Sequence, residues 1–174
     1  VLLLAGVATV TLSLLGCNRP AAPTRLVDRG GPLTMTPAEA LADARSLDVA
    51  WAEGLRLMGV KAPASVKRGA SVTVTLFFAV EGDLSARKPM VGMNLSAPGA
   101  EIVQVGGDHA LLRGRKPAEW QRGDLLMDVY DLAIPDSLMV DELALWVGLR
   151  ENKDAWSANV ARGTVIDSRG RVEV

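Results

Sequence analysis

The chain has 174 residues, with 19 lysines and arginines against 20 aspartates and glutamates, one histidine and one cysteine. Charges this evenly balanced leave no basic footprint for nucleic acid or for an anionic membrane surface. One histidine and one cysteine cannot supply the three or four nitrogen and sulfur ligands of a transition-metal site, and no cofactor motif is present.

Residues 1–16 (VLLLAGVATVTLSLLG) carry no charge and mix leucines with small residues, as in the apolar region of a secretory signal. They close on Leu14-Leu15-Gly16-Cys17, which resembles the lipobox of bacterial lipoproteins, with Leu14, Gly16 and Cys17 matching and Leu15 tolerated at its position. That resemblance implies cleavage before Cys17, acylation of its sulfur, and Cys17 as the mature N-terminus. The other reading is a plain signal anchor, since residues upstream of Val1 would lengthen an apolar run too short to span a bilayer, which takes about 20 residues.

Residues 17–35 follow as the lipidated cysteine and a flexible tether, because NRPAAPTRLVDRGGPL is rich in proline, glycine and arginine and lacks a hydrophobic period. Thr36-Pro37-Ala38-Glu39 is a capping-box pattern with proline at the first helical position, predicting a short helix over about 37–46 with Leu41, Ala44 and Leu47 on one face. Residues 36–50 are thus a helix and connector, and 51–174 the main domain. The chain from Cys17 onward is of single-domain size, and a chain of about 150 residues buries about 68–70% of its unfolded surface and needs no disulfide staple.

From Leu55 the period changes to two. In Ser71–Val80, Val72, Val74, Leu76, Phe78 and Val80 share a face, and the opposite face is polar except at Phe77 and Ala79. Val91, Met93, Leu95 and Ala97 repeat the pattern. Pro98-Gly99 then supplies a turn ahead of a short strand over 101–105. Leu125, Met127 and Val129 are expected to face the core, opposite Asp124, Asp128 and Tyr130. Leu143, Leu145, Val147 and Leu149 alternate with Trp146 and Gly148. A last pair, about 160–166 and 171–174, is joined by the turn signal Asp167-Ser168-Arg169-Gly170. About eight short alternating strands without interleaved helices predict an all-β, antiparallel, immunoglobulin-like β-sandwich.

Several short stretches resemble a β-sandwich module found as the C-terminal extracytoplasmic domain of protein-mannosyltransferase-type membrane proteins and in isolated bacterial lipoproteins. They are Gly54-Leu55-Arg56-Leu57-Met58-Gly59, Lys67-Arg68-Gly69 ahead of Val72–Phe78, Asp108-His109-Ala110, Trp120-Gln121-Arg122-Gly123-Asp124, Asp128-Val129-Tyr130, Ile134-Pro135 and Trp146-Val147-Gly148-Leu149-Arg150. The chain departs from the module where Ala110–Leu112 lacks the proline that follows the histidine and where Arg150 replaces a tyrosine. The resemblance implies an extracytoplasmic sandwich, without transferase chemistry.

Candidate chemistry is sparse. His109, preceded by Asp108, reads either as a general base oriented by that carboxylate or as a loop residue hydrogen-bonded to backbone; no Gly-x-Ser-x-Gly elbow accompanies it. Asp124, Asp128 and Asp131 offer oxygens for calcium. Asp124 and Asp128, however, stand about 13 Å apart along a strand, so all three are expected as solvated carboxylates. Four of the seven aromatic residues are tryptophans. Trp120 is expected to plug one end of the core, while Trp146 and Trp156 are candidates for an exposed platform on which a sugar or peptide could stack. These features predict a non-enzymatic binding or assembly module in the bacterial cell envelope, periplasm-facing and attached to the bilayer through acylated Cys17 (palmitate being one such acyl group), with an envelope protein or a glycan as partner. In an organism with two membranes, the lipoprotein resemblance implies the outer one, because Asn18 rather than an acidic residue follows the cysteine. The alternative is a glycan-binding accessory component of a glycan-processing or glycosyltransferase system.

Overall fold

The computed structural model describes residues 21–97 and 105–150 in full and the backbone of 151–152, 155–156, 160–162 and 172–173. The lipobox with Cys17, the turn at 98–99, the side chain of Trp156 and the turn at 167–170 lie outside the described residues. In chain order the elements are β1 (Arg25–Asp28), β2 (Gly31–Pro32), α1 (Pro37–Leu41), β3 (Arg45–Trp51), β4 (Leu55–Lys61), β5 (Ser71–Val80), β6 (Met90–Ser96), β7 (Val105–Gly106) and β8 (His109–Ala110). A 3-10 turn, Pro117–Glu119, precedes β9 (Asp124–Ala133), β10 (Ala144–Asn152), β11 (Ala155–Trp156), β12 (Val160–Arg162) and β13 (Val172–Glu173).

The strands form an all-β sandwich. One sheet runs β12-β3-β4-β5-β9-β1-β2; the other runs β11-β10-β6-β7, with β13 on β10 and β8 on β6. The chain meanders through β3, β4 and β5, crosses to β6, returns as β9 beside β5, and crosses again to β10. Alternation in β5, β6 and β10 places Val74, Leu76, Phe78, Met93, Val147 and Leu149 between the sheets, as their period predicts.

Three expectations are corrected. The tether was expected to extend to residue 35, yet Arg25–Asp28 is a strand, and Leu26 and Val27 are buried. A two-residue apolar segment in a polar context has no period to detect. It nevertheless pairs parallel to β9, Arg25 opposite Asp124 and Val27 opposite Leu126. The Asp28 carboxylate accepts from the N–H groups of Gly30 and Gly31, turning the chain into β2.

Second, the helix is shorter than expected. Its capping box forms, Thr36 Oγ1 accepting from the Glu39 N–H while the Glu39 carboxylate accepts from the Thr36 N–H. It ends at Leu41, because Arg45 and Ser46 are already paired with Val60 and Gly59. Leu41 and Ala44 pack outside the first sheet on a small cluster with Phe77, Ala79, Leu125 and Leu26, whereas Leu47 joins the main core.

Third, β9 faces the other way. Leu126 and Leu132 lie in the main core with Tyr130 against it, Leu125 and Met127 belong to the outer cluster, and Val129 is 51% exposed. With apolar residues on both faces of β9, alternation alone could not say which face α1 covers. The expected last pair, about 160–166 and 171–174, lies largely outside the described residues, with only 160–162 and 172–173 described. β12 adds to β3 in one sheet and β13 to β10 in the other.

Candidate functional site

β7 and β8 form a bent edge strand along β6, with Gly106 opposite Asn94 and His109 opposite Val91. Between them the Gly107 N–H donates to Met93 O at 2.8 Å. A Cβ on Gly107 would overlap Leu132 Cδ2 and stand 3.0 Å from Tyr130 Cε1, so only glycine lets this edge close against β9.

That closure turns His109 inward, where it is 3% exposed. Its Nδ1 lies 2.8 Å from Gly107 O, and its Nε2 lies 2.6 Å from Oδ2 of Asp128, itself 4% exposed. The second Asp128 oxygen accepts from the Leu112 N–H at 3.1 Å. Leu112 sits at φ 45°, a left-handed conformation costly for a leucine, and this hydrogen bond helps to hold it. The Tyr130 ring stacks on the imidazole with centroids 4.1 Å apart, and the Arg113 guanidinium lies 5.2 Å from the Tyr130 centroid.

Of the two readings of His109, orientation by Asp108 is not the arrangement formed. Asp108 points away and pairs with Arg150. Asp108 lies in the link between β7 and β8 and is turned outward while His109 turns inward. Backbone bonding of His109, the plainer of the two readings, is present, but a carboxylate 19 residues away completes it.

The expectation that the β9 carboxylates are solvated is also corrected. Asp124 is 2% exposed and accepts from Arg25 Nε at 2.7 Å, Arg25 Nη2 at 2.6 Å and the Gln121 N–H at 2.8 Å. The hydrogen bonds to Asp124 raise the Arg25 pKa above its ordinary value. This fork fastens β1 to β9. Asp131 is exposed as expected, accepting from Thr73 Oγ1 at 2.6 Å. The three carboxylates thus serve separate partners, and among the described residues no group of three acidic, histidine or cysteine side chains converges on a point.

Trp146 is 5% exposed and offers no stacking platform; it stands in mid-sheet, opposite Asn94 of β6 and Glu173 of β13. Trp120 is buried in the main core, as expected.

A feature unread in the sequence lies at the opposite end of β9 from Arg25. There the two sheets separate around a pocket of about 1110 Å³. Its base is aliphatic, with Val60, Val74, Leu95, Ile134 and Leu145 from both sheets. Its wall is the loop 61–68 on one side and 138–143 on the other. Lys67-Arg68-Gly69 was legible only as the lead into β5. That the loop curls over a cavity depends on Gly69, at φ 75°, whose N–H donates to Ile134 O.

No protein family, curated protein or solved structure matches this chain. Among the described residues no helix is long and apolar enough to cross a membrane.

Proposed function

We propose that the chain is a lipid-anchored module of a bacterial envelope that acts by binding rather than by catalysis. In this reading its immunoglobulin-like sandwich faces the periplasm, and Cys17 carries the acyl chains. A single acyl chain holds a protein to a bilayer only marginally, whereas the two or three of a bacterial lipoprotein hold it firmly. The outer membrane is the proposed site in an organism with two membranes.

The observation that carries the binding reading is the pocket at the open end of the sandwich, the kind of concave, mostly apolar site that ligands occupy. Its lining contains no aromatic side chain, which speaks for an aliphatic or protein partner over a glycan. Support for the non-catalytic half comes from His109. A general base must reach the proton that it abstracts, and here both ring nitrogens are engaged by Gly107 O and Asp128 in the interior.

Two measurements test the reading. Mass spectrometry of the N-terminal peptide is expected to find acyl chains on Cys17, and an unacylated wild-type cysteine would remove the anchor. Purified protein is expected to turn over no glycan, ester or peptide substrate. A turnover lost in His109→Ala but kept in Asp108→Ala would make His109 catalytic and overturn the binding reading.

A further inference from the structure

The rim of the pocket differs in charge from the chain as a whole. Its charged lining residues are Arg45, Lys61, Lys67 and Arg68 against Asp43 and Asp141, in a chain of net charge −1. Lys61 lies 3.9 Å from Asp43, and Arg68 donates to Asp141 at 2.6 Å. Arg45 and Lys67 have no ion-pair partner among the described residues. The mouth also carries unburied hydrocarbon: Val66 is 38% exposed, and Met139, between the lining residues Leu138 and Val140, is 91% exposed. Such side chains at the lip of a cavity mark a place where apolar surface is met by something else.

We infer that this pocket takes the hydrocarbon chain of a single-chain carboxylate amphiphile, a long-chain fatty acid, with its head group held at the rim by Arg45 and Lys67. This deepens the binding reading and rests on it. The volume lies just above the usual small-ligand range of about 300–1,000 Å³. An aliphatic base without a stacking ring suits hydrocarbon, and two unneutralised cations suit a carboxylate.

The test uses the full chain in phospholipid nanodiscs, with a diazirine-bearing palmitate added from the aqueous phase. After irradiation the adducts are mapped by peptide mass spectrometry. They are expected on residues 60–68 and 134–145, with about tenfold less labelling in the exposed double variant Arg45→Gln/Lys67→Gln. The matching diazirine alcohol is expected to label both proteins equally. Leu143→Trp, which fills the wall of the pocket, is expected to block both probes, and Ser65→Trp at the exposed rim serves if the first variant melts early.

Adducts confined to residues 1–20, or undiminished palmitate labelling in the double variant, would overturn the inference. So would displacement by an acidic peptide but not by unlabelled palmitate. If palmitate does not label the pocket while envelope proteins still co-purify with the chain, the binding reading stands and only the fatty-acid assignment falls. Turnover in the substrate screen removes the binding reading whatever palmitate does.

Discussion

His109 shows how far a single residue's surroundings can depart from its sequence neighbours. Asp108 and Asp128 are both carboxylates near one imidazole in sequence or in space, but only Asp128 is desolvated with it. Removing one partner of a buried hydrogen-bonded pair leaves the other uncompensated, and here it also releases the Leu112 N–H. Asp128→Ala is therefore expected to cost about 2–4 kcal/mol in urea unfolding. Asp108→Ala removes only a partly exposed pair and is expected to cost under about 1 kcal/mol. Equal losses would mean that the histidine is not held as described. Gly107→Ala is expected to cost about 1–3 kcal/mol, since the added methyl must displace Leu132. None of this was legible beforehand, because a lone histidine in a loop carries no signal for a partner 19 residues away.

At the scale of elements, the periodic strands were readable and the two-sided ones were not. β5 shows both cases. Phe78 was assigned inward from alternation and is fully buried between the sheets, so Phe78→Ala is expected to cost about 3–5 kcal/mol. Phe77, on the other face, is also buried, because α1 lies over it. The same cover inverts β9: Leu126→Ala is expected to cost about 2–5 kcal/mol, while Val129→Lys should change stability by no more than about 0.5 kcal/mol. A reversed order of these two losses in thermal unfolding would restore the sequence-based face.

The cap of α1 makes a pH prediction. Hydrogen bonds from the Thr36 backbone N–H, and then from its hydroxyl, hold the Glu39 pKa below the ordinary glutamate value. A carboxyl with a lower pKa when folded contributes stability that is fully present above its unfolded pKa and is lost as the pH falls through its folded one. The gap in urea midpoint between the wild type and Glu39→Gln should therefore be open at neutral pH and close in acid. A gap independent of pH would refute the capping role.

In the whole molecule, the fork from Arg25 to Asp124 places the root of the N-terminal segment at one end of β9 and the pocket at the other. The ten residues of that strand span about 30 Å. Between Cys17 and Arg25 the chain reaches roughly 28 Å at full extension. With Cys17 acylated as proposed, the Arg25 end stays near the bilayer and the pocket points away from it. Energy transfer to a head-group acceptor should then be stronger from a dye at Arg122→Cys than from one at Ser137→Cys. Equal transfer would mean that the domain lies flat.

The sequence by itself determined the class of fold, the strands with a clean period of two, and the capping box at Thr36. Each of these is written in residues within a few positions of one another, where backbone geometry acts directly. Tertiary structure decided the rest: that Leu26 and Val27 become a strand, that α1 covers one face of β9, and that Asp128 rather than Asp108 meets His109. It also decided that Lys67 and Arg45 share the rim of one cavity. Those outcomes join residues far apart in sequence, and nothing in a local pattern records which of two faces, or which of two carboxylates, the folded chain removes from water.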